Sequence, residues 1–295
     1  MDLWEVSLLH KEVKVRIVRS DNKEFLLNND DWKIPSNGLE GFGMFENDIT
    51  VTANAVGDGG VVSSDRLAEK DRTILAKSRN PALNDVLRRH AISFFSPKYD
   101  YKVYVTYMGE TRWCEGKIYK FNLPSENVHR NMTLTVTFLC PSPYLKSDED
   151  FGKNIAAITP MIGFPYLCAA NVGITGGRFN FAKKVFLDND GDVDAFCRAI
   201  IKATGEVTNP ALHIDEGYVR IIDHMIDGDV IEIDFTKLPP TVKKNGVNCI
   251  GRCDRTSTFD EMALKVGGSN VSYSADDGDT NVEVSIYYNK LYAAI

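Results

Sequence analysis

The sequence is poor in cysteine and histidine, has no excess of basic charge and contains no long apolar run. Its 295 residues include six cysteines. They are too widely spread for a secreted disulfide scaffold, so we predict free thiols in a reducing cytoplasm. Lys and Arg number 34 against 41 Asp and Glu, which gives a formal net charge of -7. Proteins that bind nucleic acid neutralise its phosphates with basic residues, and this balance argues against that class.

The sequence signals for membrane insertion and secretion are also missing. No apolar stretch approaches the roughly 20 residues of a membrane helix. Residues 1–15 lack the basic segment and the apolar segment that together form a secretion signal. We therefore predict a protein that makes no contact with a membrane.

The strongest metal-binding pattern is the acidic segment 188–194. Asp188, Asp190 and Asp192 stand where a calcium loop places its first three ligands. However, Val193 stands where the loop needs glycine for its sharp turn, and Ala199 stands where it needs a bidentate glutamate. We predict an acidic turn between two strands and no bound metal.

Catalytic motifs are equally scarce. Cys249 and Cys253 lack the second cysteine or histidine pair of a zinc site. Two histidines lie near aspartates and could form acid–base pairs, although surface positions are the simpler interpretation. These pairs are His213 with Asp215 and His224 with Asp223. No segment matches a nucleophile elbow, a dinucleotide-binding loop or a phosphate-binding loop. We predict no enzyme activity, no catalytic residue and no cofactor.

Alternating apolar and polar residues predict strands throughout the first half. The clearest segments are 13–18 and 132–139, where apolar residues occupy every second position. A period of two is typical of strands buried on one side. Further strands are predicted at 49–53, 101–107 and 117–121, with a turn at 108–110.

One segment of the first half, 80–94, predicts a helix. Asn80 can cap it, and Pro81 suits its first turn, where the missing N–H would be unpaired anyway. Ser96 and Pro97 end it, because the residue before proline disfavours helix. A predicted apolar stripe covers one face of the sheet. Its members are Leu83, Val86, Leu87, His90, Ala91 and Phe94.

The second half predicts short strands separated by turns rich in glycine, asparagine and aspartate. This pattern is typical of an antiparallel sandwich or jelly roll. The predicted strands are 196–203, 218–222, 230–235, 262–266 and 281–288. Two prolines and a polar, acidic run in 140–150 predict a boundary between domains 1–147 and 148–295.

Aromatic side chains cluster around the hairpin predicted at 101–121. Protein interfaces favour tyrosine and tryptophan as anchors, so these residues are candidates for a contact between subunits. Ordinary packing within the sheet is the competing interpretation. The candidates are Tyr101, Tyr107, Trp113 and Tyr119.

The order of these segments resembles the distal tail protein family of long-tailed bacteriophages and prophages. The resemblance rests on the glycine-rich turn and following strand of 57–75, the helix, the ending of the first half at 133–144, and the turns and strands of the second half. The segments of the second half are 203–210, 228–234, 244–246, 267–270 and 284–292. The resemblance implies a mostly β fold with a β-sandwich-like first domain, which carries a helix and a protruding hairpin, and a galectin-like jelly roll as the second domain.

The resemblance also implies a structural role. The first domains of such proteins close into a six-fold ring at the end of the tail tube, and the second domains project outward. We accordingly expect a homohexameric hub in the virion tail, folded and assembled in the cytoplasm of the bacterial host. Its expected partners are the tail tube protein, a tail-tip or tail-associated protein, and receptor-binding or baseplate proteins. DNA would pass through a neutral or acidic pore without specific binding.

Two other functions remain open at this point. One is a carbohydrate-binding module for host recognition, which an exposed aromatic platform in residues 151–295 would favour. The other is a β-sandwich glycoside hydrolase with an acidic pair, since the sequence spacing of such carboxylates is unconstrained.

Overall fold

The structure is a computed structural model, and it describes residues 13–43, 47–124, 129–148, 151–160, 177–180 and 184–295. The chain divides after Asp148 into two compact units, and Leu291–Ile295 belongs to the first. The boundary predicted from the sequence, 1–147 and 148–295, assigns this last segment to the second domain instead. The difference arises because Leu291 and Tyr292 pair with Lys146 and Leu145 in a short antiparallel ladder.

The first unit contains the strands that precede the division, together with the final strand of the chain. These strands are β1 (Lys14–Arg19), β2 (Glu24–Leu27), β3 (Trp32–Lys33), β4 (Leu39–Glu40), β5 (Asn47–Ala53), β6 (Gly60–Leu67), β7 (Lys70–Ser78), β8 (Asp100–Tyr107), β9 (Glu110–Asn122), β10 (Thr133–Cys140), β11 (Leu145–Ser147) and β26 (Leu291–Tyr292). A 3₁₀ turn at Pro81–Leu83 leads into helix α1, Asn84–Phe94.

The strands of the second unit alternate with short turns. They are β12 (Phe151–Pro160), β13 (Gly177–Asn180), β14 (Lys184–Leu187), β15 (Ala195–Ala203), β16 (Val207–Thr208), β17 (Ala211–Ile214), β18 (Gly217–Arg220), β19 (His224–Met225), β20 (Val230–Asp234), β21 (Thr241–Lys244), β22 (Val247–Asn248), β23 (Ala263–Leu264), β24 (Ser269–Ser274) and β25 (Val282–Tyr288). Three 3₁₀ turns among the described residues are Ile250–Arg252, Phe259–Glu261 and Asp279–Asn281.

A large antiparallel sheet organises the first unit. Its strand order is β2-β1-β8-β9-β10-β7-β3, with β4 beside β7 and β11 between β9 and β26. Val15 and Ile17 of β1 and Leu134 and Val136 of β10 are buried on one side of this sheet. The predicted strands at 13–18 and 132–139 are therefore confirmed, and every second residue of each faces the core.

Helix α1 covers the core side of this sheet with a narrower stripe than the sequence predicts. Leu87, Ala91 and Phe94 are buried, whereas Leu83 and Val86 are exposed. Leu83 lies in the 3₁₀ turn, whose tighter period takes it out of phase with the α-helix. The predicted cap forms on the 3₁₀ turn that precedes α1, whereas α1 itself has no side-chain cap. The Asn80 side chain accepts a hydrogen bond from the amide of Ala82.

Strands β8 and β9 form the hairpin predicted at 101–121. Met108 and Gly109 both adopt positive φ angles, 51° and 91°. A two-residue connection of this kind matches the twist of the strands that it joins, and glycine makes it accessible. The predicted turn at 108–110 is confirmed.

A second hairpin, formed by β5 and β6, behaves differently. The two strands pair with each other and, among the described residues, with no other strand. Every residue of β5 is exposed, and so is every residue of β6 except Leu67. The prediction of a strand at 49–53 is confirmed, but the expectation that one side of it is buried is wrong for the single chain.

Two antiparallel sheets enclose the core of the second unit. The larger has the order β13-β12-β25-β15-β20-β21-β22, with β23 beside β15, and the smaller has the order β14-β24-β17-β18. Apolar residues from both sheets, such as Ile201 and Ile231 of the larger and Leu212 and Val271 of the smaller, belong to one buried cluster. The predicted mostly β fold with a sandwich is confirmed.

Candidate functional site

Tyr101 lies inside the first unit. It is 1% exposed, and its hydroxyl accepts a hydrogen bond from the Ser96 amide at 2.8 Å. The same hydroxyl lies 3.0 Å from the Phe94 carbonyl oxygen and 2.9 Å from that of Ser96, to either of which it can donate. It therefore satisfies backbone groups where α1 ends. This placement corrects the sequence-based candidate, because a buried side chain has no surface to offer a second subunit.

Trp113 is also largely buried, at 8% exposed. Its indole N–H donates to the Ser147 carbonyl oxygen at 2.7 Å. The ammonium groups of Lys102 and Lys146 each lie 4.7 Å from the centre of the indole, and the Tyr104 ring stacks at 5.7 Å. Cations over an indole face are attracted by its electron density. Trp113 therefore fastens β11 to β9 within the unit, and little of its side chain is exposed for contact with a second subunit.

Tyr107 and Tyr119 remain on the surface of the first unit. Tyr107 ends β8 beside the hairpin turn and is 39% exposed, and Tyr119 on β9 is 69% exposed. A contact between subunits stays a prediction for these two residues.

The exposed hairpin β5–β6 is a surface that the sequence-based choice of site residues missed. Val51 pairs with Val62 across the ladder, and Ile49 precedes Val51 by two residues on the same strand, so these three side chains share one face. Each is more than half exposed. Thr52 and Ser63 hydrogen bond to each other through their hydroxyls. The sequence feature that could have indicated this hairpin is the glycine-rich segment 57–60, which separates two strand-like runs.

The acidic segment 188–194 forms a turn built around an asparagine. Asn189 is fully buried, and its amide nitrogen donates to the carbonyl oxygens of Val193 and Leu264 at 3.1 and 3.0 Å. The Asp194 carboxylate accepts from Lys265 at 3.0 Å. The predicted acidic turn between two strands is confirmed. Among the described residues, no group of three or more histidine, cysteine or acidic side chains is placed to hold a metal ion.

The two histidine–aspartate pairs do not bring their side chains together as acid–base pairs. The imidazole of His213 lies 2.9 Å from the Ser274 hydroxyl, and that of His224 lies 3.4 Å from the Thr208 hydroxyl. The backbone amide of Asn270 donates to the Asp215 carboxylate. Each histidine is thus engaged with a hydroxyl across its sheet.

Asp223 belongs to a network of ion pairs at the rim of the second unit. Lys244 places its ammonium 3.4 Å from Asp223 and 3.1 Å from Asp229, and Arg252 lies 2.6 Å from Asp223. Hydrogen bonds, first from the Asn245 side chain, lower the pKa of Asp229 to about 2. The network joins the end of β21 to neighbouring turns through charges that are all partnered.

Cys249 is buried and Cys253 is half-buried, and both are free thiols. Burial raises the pKa of Cys253 to about 11, which keeps it protonated at neutral pH. Cys114, Cys140 and Cys197 are likewise buried and free. Cys168 lies outside the described residues.

A cavity of about 400 Å³ lies on the first unit beside β1 and β8. Its lining includes Lys14, Arg16, Asn29, Tyr104 and Thr111. Arg16 already pairs with Glu24 at 3.1 Å and lies 4.2 Å from the centre of the Tyr104 ring. Arg16 is therefore engaged within the unit.

In the part of the chain that is described, no helix is long and apolar enough to cross a membrane.

A family model describes the second unit. Residues 190–292 match the siphovirus-type tail component, C-terminal domain. This segment contains most strands of both sheets of the sandwich. The match confirms the resemblance to the phage distal tail protein family that the sequence predicts, and it covers most of the second unit.

Solved structures resemble the chain over nearly its whole length. The crystal structure of the Dit (gp 19.1) protein of phage SPP1, described as a paradigm of the hub adsorption apparatus in phages that infect Gram-positive bacteria, superposes with a TM-score of 0.64 at 11% identity, covering 94% of this chain and 98% of that one. A chain of the phage P2 baseplate in its activated conformation with Ca gives 0.52 at 11% identity, with 96% and 100% covered. The corresponding Sr structure gives 0.53 at 10% identity, with 96% and 100% covered. At these identities the likeness establishes the fold. No curated protein matches the chain by sequence.

Proposed function

We propose that the protein is a structural hub of a phage or prophage tail tip or baseplate. In this role it assembles as a homohexameric ring that joins the tail tube to the adsorption apparatus. The observation that carries the proposal is the tail-component match at residues 190–292 within a fold that resembles the SPP1 Dit protein from end to end. The proteins that it resembles are structural, which supports the expectation that it is not an enzyme.

The hairpin β5–β6 supports assembly through the first unit. An isolated two-stranded hairpin is marginally stable in water, and its apolar face is exposed in the single chain. A neighbouring copy that covers Ile49, Val51 and Val62 would remove this apolar surface from water. A head-to-tail contact of this kind closes into a ring when its rotation divides a full turn. Tyr107 and Tyr119 extend the proposed contact surface.

The remaining parts of the proposal concern partners and location. In this proposal the first unit forms the ring, and the second unit docks receptor-binding or baseplate proteins. The tail tube protein and a tail-tip or tail-associated protein would adjoin the ring in the virion tail, after folding and assembly in the host cytoplasm. The net charge of -7 per copy supports a channel that lets DNA pass without binding it, since like charges repel.

Electron microscopy and native mass spectrometry of the purified chain test the ring. We expect closed particles of six copies, and we expect Val51→Lys to yield monomers because a charge would have to be buried in the interface. Val247→Lys on the second unit is the matched control, since Val247 is also strongly exposed. A wild-type protein that stays monomeric at its highest soluble concentration would contradict the ring. Six-copy particles of Val51→Lys would show that the hairpin β5–β6 is not part of the contact between ring subunits.

A further inference from the structure

Two buried cysteines of the first unit lie side by side on neighbouring strands. Cys114 on β9 and Cys140 at the end of β10 are 2% and 0% exposed, and their sulfur atoms are 3.7 Å apart. The two residues are 26 positions apart in the sequence, so the register of the β9–β10 ladder brings them together. We call them the buried thiol pair.

Gly116 of β9 makes room for the contact between the two sulfurs. Lys117 pairs with Leu139. The next positions along this antiparallel ladder therefore place Gly116 beside Cys140. Cys114 follows two residues away from Gly116 on the same side of β9. A Cβ on Gly116 would stand 3.0 Å from the Cys140 sulfur. Because glycine has no Cβ, the Cys140 side chain can lie across Gly116 and reach the Cys114 sulfur.

A buried arginine lies on the same side of the sheet. Arg72 of β7 is 1% exposed and pairs with Phe138, two residues before Cys140 on β10. Its terminal nitrogens donate to the carbonyl oxygens of Ser142 and Pro143 at 3.4 and 2.6 Å, and its Nε has no hydrogen-bond partner among the described residues. Carbonyl oxygens are uncharged, so these contacts do not neutralise the buried guanidinium.

The thiolate form of Cys140 supplies a negative charge beside this arginine. The hydrogen bond from the Cys114 thiol, and after it the Arg72 guanidinium, lower the pKa of Cys140. The same hydrogen bond, together with burial, raises the pKa of Cys114, which therefore keeps its proton. A nearby cation and a lowered pKa make a cysteine a nucleophile. The buried thiol pair thus combines a nucleophilic sulfur with a second thiol within reach of it.

We propose that Cys114 and Cys140 form a redox modification site that closes to a disulfide when hydrogen peroxide reaches it. The sulfurs of a disulfide are about 2.05 Å apart, so each sulfur has to move by less than about 1 Å. Because both thiols are buried, the oxidant has to be small. Hydrogen peroxide meets this requirement, whereas a bulky disulfide reagent does not.

The reaction has two steps. The Cys140 thiolate attacks one peroxide oxygen, the O–O bond breaks and hydroxide leaves, so Cys140 becomes a sulfenic acid. The Cys114 sulfur then attacks the Cys140 sulfur, forms the S–S bond and displaces the second oxygen as hydroxide. The protons of the two thiols convert both hydroxides to water. Two electrons pass from the sulfurs to the peroxide, and two thiols and one peroxide give one disulfide and two water molecules.

The disulfide would join β9 to β10 covalently inside the first unit. The chemistry does not depend on the hub function, but its use in a virion rests on that function. Thiols stay reduced in the host cytoplasm, and they meet an oxidising environment after the tail leaves the cell. Oxidation would then stabilise the unit that forms the ring without changing its surface.

Peroxide treatment of the purified full chain tests the site when it is followed by denaturation with an alkylating reagent and by peptide mass spectrometry. Of the six cysteines, two should escape alkylation and appear as one linked peptide pair that contains Cys114 and Cys140. Dithiothreitol should restore both thiols. The urea midpoint of the first unit, followed by tryptophan fluorescence, should rise by about 1–2 M on oxidation.

Single substitutions separate the two steps of the reaction. Cys114→Ala should leave Cys140 as a sulfenic acid that dimedone captures, whereas Cys140→Ala should leave Cys114 unreacted. Neither variant should show the link or the shift of the urea midpoint. Cys197→Ala is the matched control, because Cys197 is fully buried in the second unit, and it should keep both the link and the shift.

Two results would overturn the proposal. One is alkylation of all six thiols after peroxide treatment of the wild-type chain, and the other is a link between other cysteines in place of Cys114 and Cys140. Cys253 is the most exposed of the described cysteines, yet it should stay reduced because burial raises its pKa to about 11. Native mass spectrometry of Cys140→Ala separates this proposal from the ring, since loss of the link with particle mass retained leaves the hub function untouched.

Discussion

Removing one oxygen atom from Tyr101 tests whether this residue serves the fold rather than an interface. In Tyr101→Phe, the Phe94 carbonyl oxygen keeps the Arg19 guanidinium at 2.8 Å, and the Ser96 carbonyl oxygen keeps the Tyr99 amide at 3.4 Å. The Ser96 amide loses the hydroxyl that accepts its hydrogen bond at 2.8 Å. A donor left unsatisfied away from water costs about 1–3 kcal/mol. We expect the free energy of unfolding of the first unit to fall by that amount.

Urea unfolding followed by tryptophan fluorescence measures this loss in one unit alone. The tryptophans of the chain are Trp4, Trp32 and Trp113, and all precede the division after Asp148. Tyr104→Phe is the matched control. It makes the same chemical change on the opposite side of the sheet, where the ring packs against Arg16 and Trp113. Its effect should stay within about 0.5 kcal/mol. Equal stability of Tyr101→Phe and wild type, or equal losses in the two variants, would refute the reasoning.

Two further predictions concern the second unit, which lacks tryptophan and is followed by far-UV circular dichroism. The pKa of Asp229 is lowered from 3.8 to about 2 by hydrogen bonds, first from Asn245, so its contribution to stability is present above pH 4 and is lost as the pH falls towards 2. Asp229→Asn should therefore be less stable at pH 7 and should lose less stability between pH 4 and 2; a parallel pH dependence in both proteins would contradict this. Gly278→Ala should destabilise more than Gly228→Ala. Both glycines have positive φ, but a Cβ at 278 would meet the Glu206 carbonyl oxygen at 2.0 Å, whereas one at 228 meets nothing within 4 Å. The left-handed conformation alone costs alanine about 1–2 kcal/mol at either position, so the difference between the variants reports the clash. Equal urea midpoints of the two variants would rule out the clash.

Local sequence predicted those elements whose pattern is set by burial on one side. The strands at 13–18 and 132–139 and the cap at Asn80 are examples, because alternation and capping depend on neighbours in the sequence. The exposed strand at 49–53 has the same alternation as a half-buried one, so the pattern cannot tell whether its partner lies in the same chain. Tyr101 and Trp113 differ from Tyr119 only in tertiary surroundings, which their sequence context does not encode.

The row of side chains on the open side of the smaller sheet could not be predicted from the sequence for a different reason. Lys184 and Ser272 are far from His213 and Tyr218 in sequence, and the four residues meet because three ladders have a particular register. A shift of one residue in any ladder would turn that strand's side chains to the other side of the sheet. His213 and Asp215 invited interpretation as an acid–base pair because they are close in sequence, whereas the partner of His213 in the structure is Ser274.

The segment Leu291–Ile295 makes the second unit an insertion within the first. The chain leaves the first unit after Asp148 and returns to it at Leu291, so the second unit is joined to the first at both of its ends. Backbone and side-chain contacts hold the segment Leu291–Ile295 on the first unit. Arg112 donates to the Ala294 carbonyl oxygen, and its guanidinium lies 3.8 Å from the centre of the Tyr292 ring. The Ile295 amide donates to the Phe42 carbonyl oxygen at 3.1 Å. A fragment cut at 147 would leave β11 without β26, and the complementary fragment would carry β26 without β11. Assembly should therefore be tested with the full chain, because either fragment loses the β11–β26 ladder.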